Sequence, residues 1–147
     1  MRPLDAACRR KSSWNAAIVG AAGRLSSTPW RISSRSRAVA QRMAARGRGT
    51  IIFTGATASV RGGVGFSAFA SGKFALRALA QSMARELHPQ GVHVAHVVID
   101  GMIGAPGSSD RSKMCPDEIA ATYAGLYFQG KSNWTHELDM RPHTEKW

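Results

Sequence analysis

The chain has 147 residues, enough for one domain with a hydrophobic core but not for two of ordinary size. Its 44% apolar content is that of a folded chain, yet no apolar run approaches the roughly 20 residues a membrane helix needs, which excludes an integral helical membrane protein. The formal charge of +11 invites nucleic-acid or membrane-surface partners until that charge is located.

The charge is uneven. Residues 1–48 hold eleven basic side chains and one acid, Asp5, whereas residues 49–147 hold nine basic and eight acidic. The basic character therefore belongs to the front segment, which is also Ser-rich, as in Arg31-Ile32-Ser33-Ser34-Arg35-Ser36-Arg37. Residues 1–37 are expected to be a basic, poorly ordered leader; an organelle transit peptide and a phosphate-tracking arm are the alternatives. With only Trp14 and Trp30 as stacking aromatics and no recognised module in this segment, a nucleic-acid partner is not expected. Cys8 and Cys115 are too few for a disulfide framework or a structural zinc site, which suits a reducing, cytoplasmic compartment.

From residue 38 onward the elements follow in order. Ala38–Arg46, with Val39 and Met43 at i, i+4, predicts the last turns of a helix, ended by Gly47-Arg48-Gly49. Thr50–Thr54 is β-branched and aromatic and predicts a buried strand. Phe69, Leu76, Ala80, Met83 and Leu87 form one stripe at helical period, which places Phe69 in the core. His88-Pro89-Gln90-Gly91 stops that helix, and Val92–Ile99 predicts a second strand covered on both faces. Residues 104–112 read as a loop. Pro116 then opens a helix carrying Ile119, Tyr123 and Leu126, with Asp117 and Glu118 suited to its N-terminus. Trp134–Met140 alternates and predicts a short third strand. The order is α/β with a parallel sheet of about three strands, which leaves Ile51–Thr54 at an unpaired apolar edge. His93 and His96, at i, i+3 on a strand, face opposite sides and do not chelate one metal. Glu137, Asp139 and Arg141 read as solvated or interface charges.

Three stretches carry a family resemblance. Gly-Thr-Ile-Ile-Phe-Thr-Gly-Ala-Thr-Ala-Ser (49–59), Phe-Ser-Ala-Phe-Ala-Ser-Gly-Lys-Phe-Ala-Leu (66–76) and the run Leu87–Gly101 resemble the back half of the short-chain dehydrogenase/reductase family over about residues 38–140. The resemblance implies a partial Rossmann-like domain at 38–147 and NAD- or NADP-dependent hydride transfer, with a tyrosine as proton carrier, a lysine four residues later and a serine upstream. Here the tyrosine position is Phe69, the serine position is Ala56, and Lys73 is retained. Phenylalanine has no proton to give, so the family's acid/base step is not expected at this position. Ser59, Ser67, Ser71, Thr54 and Thr57 supply hydroxyls without an evident activating base. Lys73 is read either as a ribose contact or as a lysine with its stem along an apolar face and its ammonium in water.

The resemblance also implies Lys73, Asp100, Gly101 and Ile103 as cofactor-facing positions, with Ala105 where the family has a threonine. Ile18-Val19-Gly20-Ala21-Ala22-Gly23 opens like a phosphate-binding turn but lacks a third glycine, so binding of NAD or NADP by this chain is doubtful. The expectation is a truncated, rearranged or mis-framed oxidoreductase relative with impaired catalysis, a pseudoenzyme. The alternatives are a non-catalytic module that self-associates through helices 38–46 and 67–87, and an active oxidoreductase with a non-tyrosine proton donor.

Overall fold

A computed structural model describes residues 16–20, 29–108 and 110–145, with side chains from Ser36 onward. Its elements are strand β1 (Ala16–Gly20), helix α1 (Pro29–Ala45), strand β2 (Gly49–Thr54), helix α2 (Ser67–Leu87), strand β3 (Val92–Ile99), helix α3 (Pro116–Tyr127) and strand β4 (Glu137–Met140). Short 3₁₀ turns lie at Thr57–Ser59 and His88–Gln90.

The four strands form one parallel sheet in the order β1-β2-β3-β4. Each parallel neighbour requires a crossover, and a helix follows each of β1, β2 and β3. The three expected strands and their helices are present, and β1 adds a fourth. The expected unpaired edge at β2 is therefore corrected: Ala16–Gly20 pairs along it, with Gly20 opposite Thr54. α1 also starts earlier than the periodicity indicated, because the polar Arg/Ser stretch carries little apolar signal. β1 and the first turns of α1 fall within the segment expected to be a leader; Ala21–Gly23 of the glycine turn lie outside the described residues.

Alternation along β2 sends Ile51 and Phe53 to one face and Ile52 to the other. On the first face Met43 of α1 and Leu76, Ala80, Met83 and Leu87 of α2 pack against Ile51, Phe53, Val92 and Val94. On the second, Leu126 and the partly buried Tyr123 of α3 pack against Ile52, Ala95 and Val97. Phe53, Ile51 and Val94 are fully buried, each contributing about 1.5–3 kcal/mol of transfer free energy. Gly91 ends the α2 hairpin with φ 78°, and a Cβ there would lie 2.3 Å from the Gly47 carbonyl oxygen, so only glycine fits. Among the described residues no helix is long and apolar enough to cross a membrane.

Candidate active site

β2 ends at Thr54, and the chain leaves the sheet at its C-terminal edge, where open parallel sheets hold ligands. α2 runs back from this edge and places Phe69, Lys73 and Arg77 on one side at i, i+4 spacing. Lys73 is 6% exposed, and its Nζ donates to the Thr54 carbonyl at 3.0 Å. The same ammonium lies 5.7 Å from the centroid of the Phe69 ring. Burial pushes the Lys73 pKa below the ordinary lysine value, because the charged form has lost water. The reading of Lys73 as an ammonium in water is thus corrected.

Phe69 is the reverse case. Expected in the core, it is 48% exposed, with its ring edge-on to Phe66 at 6.4 Å. The buried stripe of α2 begins at Ala70 and Lys73 and continues through Leu76 and Ala80, so position 69 falls just outside it. Ala56, at the serine position, presents a methyl, and its N–H donates to the buried Ser59 hydroxyl at 3.1 Å. Phe69 and Ala56 bring no ionisable or hydroxyl group to the strand end that Lys73 holds.

The cofactor-facing positions divide. Asp100 is 4% exposed; its carboxylate accepts from the Thr57 hydroxyl, pairs with Arg141 at 3.2 Å and lies 4.0 Å from Arg61. Gly101 is covered by Pro142, whose Cδ is 2.6 Å from where a Cβ would stand. Ile103 is exposed and bridges to Met114. Arg141 is therefore no solvated charge: it ties the end of β4 to the end of β3 and also pairs with Asp139.

Two groups escaped sequence reasoning. Tyr123 of α3 brings its phenol 2.9 Å from the Thr54 hydroxyl, so Thr54 is engaged by Lys73 through its carbonyl and by Tyr123 through its side chain. Burial raises the Tyr123 pKa, while the Thr54 bond opposes this. In the sequence Tyr123 is one more apolar position of a helical stripe, and nothing local marks a partner 69 residues away. The second is His96, fully buried, with Nδ1 at 3.0 Å from a Glu137 carboxylate oxygen. Glu137 in turn accepts two bonds from Arg77 at 2.7 and 2.6 Å, which hold its pKa below the usual range. Glu137, at an exposed position of β4, is thus a charge held between Arg77 and His96. His96 Nε2 has no hydrogen-bond partner among the described residues and lies against Gly55, between Thr54 and Ala56. His93 takes the other face of β3 and stacks on Trp134.

A family model for short chain dehydrogenases matches residues 32–115, more than half of the chain. The chain belongs to the short-chain dehydrogenase family. It is 44% identical to a short-chain dehydrogenase from Rhodopseudomonas palustris, with a TM-score of 0.69 over 88% of this chain and 62% of that one. A metagenomic short-chain oxidoreductase in complex with NADP is 30% identical, with a TM-score of 0.62 over 80% of this chain and 47% of that one. The 3-ketodihydrosphingosine reductase of Mus musculus is 37% identical over 83 residues, 56% of this chain and 25% of the reductase. The match thus spans a quarter of that curated relative's length.

Lys73 suits a ribose-holding role by charge and position at the strand end. At the Asp100–Gly101 corner the carboxylate accepts from Thr57 and pairs with Arg141, with Arg61 4.0 Å away, so this anion is already partnered within the chain.

Proposed function

We propose that this chain is a short-chain dehydrogenase of NAD(P)-dependent oxidoreductase lineage whose own hydride-transfer chemistry is impaired. The observation that supports this most is the Lys73–Phe69 pair. The lysine that would tune a phenol is buried and held by Thr54, and its aromatic neighbour has no hydroxyl to tune. Ala56 removes the second hydrogen-bonding group from the same strand end, and the enclosed Asp100 weakens the nucleotide seat. General acid catalysis contributes about 10²–10⁴ in rate, so loss of the proton carrier alone reduces turnover on that scale.

Titration of the purified chain with NADH and with NADPH, followed by nucleotide fluorescence, tests the reading. The expected result is no saturable binding in the micromolar range; tight saturable binding of either nucleotide would overturn the impaired seat. A second reading, a self-associating module, draws support from α2, where Phe74 is 43% exposed on an outward stripe with Ser71, Ala78 and Ser82. Sedimentation of the chain and of Phe74→Asp separates the two: a dimer that the substitution dissociates supports self-association, and a clean monomer removes it.

A further inference from the structure

At the end of the sheet opposite the candidate active site, β4 joins β3 only from His96 onward, where Glu137 pairs with it. The β3 backbone one turn of the pleat earlier, at Val94, still needs partners on that side. Two imidazoles supply them. The Val94 N–H donates to His88 Nε2 at 3.1 Å, and His136 Nδ1 lies 3.2 Å from the Val94 carbonyl oxygen. His93, next in the chain, sets Nε2 2.8 Å from the Thr135 carbonyl and stacks on Trp134 at 5.1 Å with the rings 3° from parallel. His88 meets the same indole edge-on at 5.2 Å, and its ring centroid is 6.1 Å from His93 and 6.3 Å from His136. Three histidines and one tryptophan thus pin the approach to β4 against the start of β3.

We propose that His88, His93 and His136 form a proton-operated fastening of residues 129–136: uncharged, they take the place of a missing strand at Val94; charged, they let this segment go. The chemistry follows from the hydrogen bonds. While His88 Nε2 accepts the Val94 N–H it carries no proton; protonation turns that acceptor into a donor, for which the Val94 carbonyl oxygen lies at 3.3 Å, and leaves the Val94 N–H without its partner. His93 is 1% exposed and its Nδ1 has no partner among the described residues, so a charge there is set against burial with only backbone carbonyls to offset it. Neighbouring charge does not help. Glu137, the residue after His136, is turned to Arg77 and His96, and Lys131 Nζ bonds the Gly47 carbonyl at 3.2 Å and adds a further cation. In agreement, burial first, and the nearness of His88 and His136 after it, lower the His93 pKa, although its backbone partners oppose this. What the fastening holds is the strand that carries Glu137 to His96 and Arg141 to Asp100.

The test is amide hydrogen exchange on the full chain, expressed as protection factors, from about pH 8 to about pH 5. The amides of Val94 and His96, the latter bonded to the His136 carbonyl, are expected to lose protection at least about tenfold, one pH unit of linkage. Those of Ile52 and Leu76 are expected to keep theirs. Trp134 emission, isolated by subtracting the Trp134→Phe variant, shifts to the red over the same interval. In His88→Gln/His136→Gln, which keeps side-chain acceptors and donors without titration, the loss shrinks to under about a third. Unchanged protection at Val94 in the native chain overturns the proposal, as does an undiminished loss in the double variant. Simultaneous loss at Ile52 and Leu76 also overturns it, since that is global acid unfolding. If the double variant does not fold, the native-chain profile decides alone.

Discussion

Gly55→Ala adds one methyl at the strand end that carries the candidate site. That Cβ would stand 2.5 Å from His96 Nε2, 2.8 Å from His96 Cε1 and 2.7 Å from the Ser59 hydroxyl oxygen. Neither neighbour yields easily. His96 is fully buried with its other nitrogen bonded to Glu137, and Ser59 is fully buried and accepts from the Ala56 N–H. Overpacking of this kind costs about 1–3 kcal/mol, a fall in Tm of roughly 3–9 °C for a chain of this size. Urea unfolding with a shared m-value measures it, and His96→Ala, which removes the obstructing ring, supplies the control. The double variant is expected to be more stable than the sum of the single losses by about 1 kcal/mol or more, because the two positions share one space. A Gly55→Ala chain within about 0.5 kcal/mol of the parent, the range of an ordinary surface change, would refute the packing described around His96.

Lys73→Met is expected to change stability at neutral pH by less than about 1 kcal/mol, because the lost charge-assisted bond and the relieved desolvation nearly cancel. Its pH dependence differs more: the folded Lys73 pKa is lowered, so the unfolded chain binds more protons between that value and 10.5, and the parent gains stability relative to Lys73→Met as pH rises through this interval. Chemical unfolding near pH 7 and pH 10 checks both statements. Glu137→Gln lowers stability by about 0.5–1 kcal/mol at neutral pH, since His96 and Arg77 lose a charged partner that solvent already screens; the folded Glu137 pKa lies below 4.5, so this difference is present above 4.5 and vanishes as pH falls through the folded value. Tyr123→Phe removes one partly buried hydrogen bond to Thr54 and costs about 0.5–1.5 kcal/mol, measured by thermal unfolding.

Much of the architecture was legible because the signals were periodic. Val92–Ile99 is a continuous apolar run with no competing interpretation, and the α2 stripe from Leu76 to Leu87 reads directly from spacing. β1 was not legible, since five residues of Ala16–Gly20 within a basic stretch give no alternation, and their place depends on pairing with β2. At the candidate site, residue types identified Phe69, Lys73 and Ala56, but not their burial. Phe69 looked like core because it shares a period with Leu76; the true stripe is carried there by Ala70 and by a lysine, which no hydropathy reading selects. Arg141–Asp100, Glu137–His96 and Tyr123–Thr54 join residues about 40 to 70 positions apart, and no local pattern announces such pairs.

The proposed loss of hydride transfer, with phenylalanine at position 69 beside the Lys73 ammonium, is tested most directly by turnover of a ketone by the purified full chain with excess NADPH, followed as nucleotide oxidation. A rate indistinguishable from buffer is expected, both for the native chain and for Lys73→Ala. Steady consumption that disappears on removing that ammonium would contradict it, for it would mean that protons reach the substrate from a donor other than residue 69.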